Sequence, residues 1–188
     1  MFEPNYWYWS GILSEELCDS IILEGDKLIS SDGRIGNGNL GGSYNPEIRE
    51  TNITFFPNNH WIEGIALQYA LLANTNSKWN INFSNPQNAQ YCRYFPDQHY
   101  TPHRDDSINV NRNTMRKLSL VIQLSNPNDY EGGEFAIEQI DGSLAEVDLI
   151  APRGSVIVFP SLLMHGVKPV TKGVRHSVVV WFEGPNWQ

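Results

Sequence analysis

Apolar residues follow two spacings in this chain, partly helical up to about residue 88 and strand-like after it. Phe2 to Trp9 alternates Tyr6 and Tyr8 against Trp7 and Trp9, which predicts a first strand. The period then lengthens. Ser14 can cap a helix with Glu15 and Glu16 in its first turn, and Leu17, Cys18, Ile21, Ile22, Gly25, Leu28 and Ile29 form its apolar stripe. Arg49 to Pro57 reads as a strand. A second helix follows, capped by Asn58 or Asn59, with Trp61, Ile62, Ile65, Ala66, Tyr69 and Leu72 on one side and an end near Leu72. Asn74 to Asn88 is a turn-rich connection around a short strand at Trp79 to Phe83.

From residue 89 onward the predicted strands are Ala89–Phe95, Tyr100–His103, Lys117–Leu124, Gly133–Ile140, Val147–Ile150, Ser155–Phe159, Gly166–Val170 and Val174–Phe182. Turn signals separate them at Asn126-Pro-Asn-Asp129, Glu131-Gly-Gly133, Asp141-Gly142, Pro152-Arg-Gly154 and Thr171-Lys-Gly173. This punctuation predicts a double-sheet jelly roll, mainly β with flanking helices. Runs such as Val178-Val179-Val180 lack polar alternation, as expected where helices cover a sheet and its strands are buried on both faces. Residues 1–88 are expected to supply support and a substrate loop to the β core of 89–188, in one domain.

The stretch Ser31 to Pro46 is polar and glycine-rich, and Gly36-Asn-Gly38-Asn-Leu-Gly41 formally matches a dinucleotide fingerprint. That pattern must follow a buried strand and open a helix. Here it follows a helix and runs into Gly42-Ser-Tyr-Asn-Pro46, so the match is accidental. A loop covering a substrate is the reading adopted, within Ser31–Asn52.

With 188 residues, 12% aromatic and 18% charged, the chain suits a compact β-rich globule. Its formal charge of -8 gives no general attraction for nucleic acid or an anionic membrane. Cys18 and Cys92 stand far apart in apolar surroundings, which predicts buried free thiols. No basic-then-apolar leader and no run of about eighteen apolar residues is found, so a cytoplasmic location is expected.

The candidate chemistry centres on Tyr94 to Asp105. Pro96 and Pro102 favour extended backbone, in which His103 and Asp105 point to one side. His99 and His103 would need a helix to share a face as an i, i+4 pair, so His99 is assigned to the surface. His165 ends a second apolar run. Two histidines and a carboxylate with open coordination positions form the facial triad of non-haem iron(II) oxygenases.

These residues lie within a longer set of motifs in order. Tyr94…Tyr100-Thr-Pro-His103-Arg-Asp105, Leu118-Ser-Leu-Val-Ile-Gln-Leu-Ser, Tyr130-Glu-Gly-Gly-Glu-Phe, Pro152-Arg-Gly-Ser-Val-Ile-Val-Phe-Pro160 and His165-Gly-Val-Lys-Pro-Val-Thr-Lys-Gly-Val-Arg175 span Tyr91 to Glu183. Together they resemble the prolyl-4-hydroxylase-like branch of the iron(II)- and 2-oxoglutarate-dependent oxygenases, especially the bacterial PKHD-type hydroxylases. The resemblance implies a double-stranded β-helix and assigns iron to His103, Asp105 and His165. It also implies 2-oxoglutarate and O2 as co-substrates, release of succinate and CO2, and ascorbate to keep the iron reduced.

Arg175 suits the distal carboxylate of 2-oxoglutarate, because a guanidinium can pair with it bidentately. Ser177, two residues on, can add a hydroxyl. Tyr94 and Gln123 occupy positions resembling cofactor contacts of the family. Relatives that halogenate lack the carboxylate supplied here by Asp105, which favours hydroxylation. The family often has glycine between its two tyrosines where this chain has Asp97, and that leaves the turn geometry open. Trp181, Tyr100 and Arg49 are assigned to the substrate, expected to be a prolyl residue of a peptide or protein, in some cases proline-rich. The demethylase branch carries a second arginine where this chain has Trp181, so no nucleic acid is expected. Hydroxylation of a free amino acid, or a non-catalytic metal-binding jelly roll, are the alternatives. A buried arginine ten residues after the last ligand argues against the latter.

Overall fold

The computed structural model describes residues 3–33, 44–109 and 113–186. The Gly36–Gly41 motif, residues 34–43 of the proposed substrate loop, and Phe2 of the first predicted strand lie outside them.

Two helices cover one face of a large sheet, and a smaller sheet lies against the other. The large sheet runs β1 (Trp7–Trp9), β12 (Val156–Pro160), β8 (Thr114–Gln123), β15 (Arg175–Pro185), β5 (Gln90–Tyr94), β4 (Asn52–Phe55) and β2 (Ser31–Asp32), with β7 (Ile108–Asn109) paired to β8. The smaller sheet runs β11 (Leu144–Glu146), β10 (Phe135–Glu138), β13 (His165–Val167), β6 (His99–His103) and β3 (Arg49–Glu50). A two-stranded ribbon joins β9 (Tyr130–Gly132) to β14 (Val170–Gly173). All pairings are antiparallel among the described residues, as the predicted double-stranded β-helix requires. The flanks of the proposed loop are themselves short strands, β2 against β4 and β3 against β6.

The helices begin where a side chain satisfies an orphan amide. Ser14 accepts from the Leu17 amide and starts α1 (Glu15–Asp26), as predicted. The helix ends before Ile29, which is 96% exposed, so the apolar stripe stops short of that residue. For α2 (Trp61–Asn76) the cap is His60, whose ring accepts from the Ile62 amide, and neither Asn58 nor Asn59. It continues past Leu72. Its buried apolar line is Ile62, Ala66, Ala70 and Ala73, the three alanines letting the helix lie close to the sheet, while Trp61 and Leu72 are exposed.

Two predicted strands are absent. At Trp79–Phe83 the Asn74 amide takes both backbone groups of Ile81, at 3.0 Å each, replacing a strand partner. At Val147–Ile150 the Ile150 amide bonds to the Val147 carbonyl and the chain forms a 3-10 turn, burying two apolar residues three apart. The local strand is Leu144–Glu146 instead. The predicted Gly166–Val170 strand divides into β13 and β14.

Apolar burial occurs on both sides of the large sheet. Leu118, Leu120, Ile122, Val156, Val158, Val178, Val180 and Phe182 pack with Ile21, Ile62, Ala66 and Ala70 of the helices. Val121, Ile157 and Phe159 meet Phe135, Ile137, Val147 and Ile150 on the opposite face. Cys18 and Cys92 are buried and free, as expected. Among the described residues no helix is long and apolar enough to cross a membrane.

Candidate active site

Strand parity carries the site. On β8 and β15, Leu118, Leu120, Ile122, Val178 and Val180 turn to the helices, so Ser119, Val121, Gln123, Arg175, Ser177, Val179 and Trp181 turn to the interior between the sheets. Tyr94 and Cys92 of β5 line the same space, because Tyr94 pairs with Arg175 and Cys92 with Ser177.

The two histidines come from the smaller sheet. His103 on β6 and His165 on β13 are direct cross-strand partners, with ring centroids 4.3 Å apart. The register shifts next to them, and Gly166 makes this possible. A Cβ there would lie 2.9 Å from the Tyr100 carbonyl oxygen and 3.2 Å from the Pro102 nitrogen, so only glycine lets β13 lie against the irregular turn of β6. Asp105 follows β6, its amide donating to Ser161 O at 2.8 Å.

The donor atoms of His103, Asp105 and His165 all lie within 4.8 Å of one another. His103 Nε2 is 3.5 Å from Asp105 Oδ1 and His165 Nε2 is 3.2 Å from Oδ2. Each ring's Nδ1 lies 2.9 Å from a backbone carbonyl, Thr101 O and Leu163 O respectively. A carbonyl only accepts, so both Nδ1 atoms carry hydrogen and both Nε2 atoms face Asp105, each left with a lone pair for a metal when the ring is neutral. That tautomer is the one a metal needs.

Neighbours hold the ligand set in place. Asp105 Oδ2 accepts from Ser119 Oγ at 2.8 Å and from Trp181 Nε1 at 2.7 Å, and Ser161 bonds to Ser119. Tyr100 stacks on His103 with centroids 3.5 Å apart, and Phe159 meets His165 edge-on. Burial favours a neutral acid at Asp105, yet the two imidazoles outweigh it and pull its pKa well below the ordinary value. Burial also disfavours charge on His165, where the Asp105 carboxylate prevails and raises the pKa; at His103 burial prevails and lowers it.

Arg175 is 2% exposed and makes no ion pair among the described residues. Its Nη1 contacts Ser177 Oγ at 3.4 Å, and its guanidinium carbon lies 5.7 Å from the centre of the Tyr94 ring. Burial first of all holds the Tyr94 phenol far above its usual pKa, so it is a hydrogen-bond donor. One cavity is lined by Tyr94, His103, Asp105, His165, Arg175 and Ser177 together with Trp181, Tyr100 and Arg49. Gln123 is outside this lining. Its amide donates to Tyr130 Oη and Ser125 O, and it faces a neighbouring cavity that shares Arg175. His99 is half-buried, its ring against Asp97 O and Glu47 O.

Asp97 has φ of 70°, the left-handed conformation glycine favours, and its amide donates to Val170 O. The turn where the family often has glycine is therefore formed here by an aspartate.

Residues 89–183 match the family model of the 2OG-Fe(II) oxygenase superfamily. The chain belongs to that superfamily. Its members use iron(II), 2-oxoglutarate and oxygen, and ascorbate is typical of them. A PKHD-type hydroxylase of Synechococcus sp. (strain JA-2-3B'a(2-13)) is 36% identical over 86 residues, 45% of this chain and 37% of that protein. Another from Pseudoalteromonas atlantica (strain T6c / ATCC BAA-1087) is 39% identical over 98 residues, 50% of this chain and 42% of that protein. The match thus covers less than half of each relative's length. In fold, a Pseudomonas putida prolyl-4-hydroxylase superposes with a TM-score of 0.69 at 21% identity, over 97% of this chain and 94% of the other. A Trichoplax adhaerens prolyl hydroxylase, solved in complex with a hypoxia inducible factor oxygen degradation domain peptide fragment, gives 0.66 at 18% identity over 95% and 83%.

The donor set suits an oxygenase of this kind. Two imidazoles with Nε2 directed inward and one ionised carboxylate fit the facial arrangement of iron(II), and Arg175 offers a buried cation beside it. Ser119, Ser161 and the clamp of Trp181 on Asp105 were not singled out in the sequence. Ser119, lone and polar between Leu118 and Leu120, carried a signal in its parity.

Proposed function

We propose that this oxygenase hydroxylates an unactivated C–H bond with iron(II), O2 and 2-oxoglutarate, releasing succinate and CO2, and that its substrate is a prolyl residue of a peptide or protein. One observation carries the reading. Arg175 is a buried cation that makes no ion pair among the described residues, in the cavity that holds His103, Asp105 and His165. A charge in that position needs an anion, and a dicarboxylate that also reaches the metal supplies it.

Each residue then has a task. His103 and His165 bind the metal through Nε2, and Asp105 binds it while Ser119 and Trp181 fix its carboxylate. Arg175 and Ser177 take the distal carboxylate, with Tyr94 as a further donor. The bound metal and 2-oxoglutarate supply oxidising power to the C–H bond. Tyr100, Arg49 and Trp181 line the side open to substrate. The peptide substrate is supported by the Trichoplax adhaerens neighbour, which holds a peptide fragment. Buried free thiols suit a reducing, cytoplasmic setting.

The test is succinate release from 2-oxoglutarate with iron(II) and ascorbate, together with mass spectrometry of proline-containing peptides. The reading expects oxygen gained on proline and both signals lost in Asp105→Ala. Absence of iron and 2-oxoglutarate binding in the unmodified protein would overturn it.

A further inference from the structure

Above the metal residues lies an outer cavity of about 310 Å³ whose charge is opposite to that of the molecule as a whole. The chain carries a formal charge of -8, yet this cavity is lined by Arg49, Arg104 and Arg116 against two carboxylates, Asp32 and the ligand Asp105. Arg116 is the most constrained of the three. Its guanidinium lies over the Trp181 ring, 3.7 Å from the centroid, and its Nε donates to Gln87 Oε1 at 3.0 Å. Gln87 is held in turn by Glu183, whose carboxylate also accepts from Thr114. Neither Arg116 nor Arg104 makes an ion pair among the described residues.

A flexible arginine at a rim would be solvated surface, but one that is stacked and hydrogen-bonded at Nε presents a fixed fork. Its position is set by the chemistry next to it, because the Trp181 ring that carries Arg116 donates its N–H to Asp105. The guanidinium therefore stands one indole away from the metal ligand. With iron bound, Asp105 is engaged by the dication, and the two negative charges of 2-oxoglutarate are matched by the remaining metal charge and Arg175. Among the described residues Asp32 is then the one carboxylate left in the lining to face Arg49, Arg104 and Arg116, and Glu183 reaches Arg116 only through Gln87.

We propose that Arg116 binds a carboxylate of the substrate, on the hydroxylated residue or its immediate neighbour, so that this oxygenase selects acidic or carboxylate-terminated peptides. The inference rests on the function proposed above. Two sources share that chemistry, a glutamate side chain beside the proline and the free carboxylate of a terminal proline.

Three amidated or free peptides separate them: one with glutamate before an internal proline, the same with glutamine, and the glutamine peptide ending in a free proline carboxylate. Binding is measured without oxygen to protein loaded with iron(II) and 2-oxoglutarate. One carboxylate peptide is expected to bind about tenfold or more tightly than the neutral one. The gap should narrow as salt rises, close in Arg116→Gln and persist in part in Arg116→Lys, with 2-oxoglutarate titration of each variant showing that the site is formed. Equal binding of the three peptides, binding of none, or a gap that survives in Arg116→Gln would overturn the proposal while leaving the oxygenase assignment intact. Failure of the unmodified protein to load iron and 2-oxoglutarate would instead remove the assignment beneath it.

Discussion

On β8 and β15, Leu118, Leu120, Ile122, Val178 and Val180 face the helices, whereas Ser119, Gln123, Arg175, Ser177 and Trp181 face the space between the sheets. Both sets are buried, yet one is almost wholly apolar and the other holds a cation, hydroxyls and an indole donor. The helix-facing side stabilises the fold by removing apolar surface from water. The interior side carries polar groups whose partners include Asp105 and, in the proposed function, a metal and a co-substrate. The same two strands thus separate stability from chemistry by a step of one residue.

Substitutions on opposite faces should separate these roles. Leu120→Ala removes a fully buried side chain from the helix-facing core and is expected to cost about 2–5 kcal/mol of stability, read by thermal or denaturant unfolding. The folded fraction should bind 2-oxoglutarate as before. A loss of binding at unchanged stability would break the division. Arg175→Ala should do the reverse, weakening 2-oxoglutarate by about 100-fold in calorimetric titrations. Iron binding should persist, since the three ligand residues remain.

A smaller effect is expected from Gly133→Ala. Gly133 has φ of 68°, and an added Cβ would lie 3.0 Å from Arg175 Cδ and 2.9 Å from Val170 Cγ2. Strain and a displaced guanidinium should weaken 2-oxoglutarate by about tenfold, with about 1–2 kcal/mol of stability lost. Unchanged affinity would show that Arg175 tolerates the push. The smallest change belongs to Asp97→Gly, which relieves a left-handed backbone and should stabilise by no more than about 1 kcal/mol. A clear drop in melting temperature would mean that the aspartate side chain supports the turn.

Much of this architecture was legible in order along the chain. Apolar, β-branched and aromatic runs bounded by glycine, proline and asparagine located the principal β5, β6, β8, β12 and β15 strands, because local backbone preference and burial agree there. The Ser14 cap was visible for the same reason. Trp79–Phe83 and Val147–Ile150 misled because both are apolar enough for a strand, while Asn74 captured one backbone and a three-residue spacing curled the other. Gln123 was assigned to the cofactor from its place in a motif, and the fold turns its amide to Tyr130.

The residue types of the site were present in one dimension, two imidazoles, a carboxylate and an arginine, and the family resemblance of the motifs around them implied iron and 2-oxoglutarate. Pairing was not. His103 and His165 meet because β6 and β13 are neighbours in the smaller sheet, and Asp105 is steadied by Ser119 and Trp181 from the larger one. Period and turn chemistry are local properties, readable from neighbours in the chain. The meeting of the two imidazoles, the fork of Arg116 on Trp181 and the burial of Arg175 depend on strands brought together from distant segments, and strand pairing with sheet packing produced them.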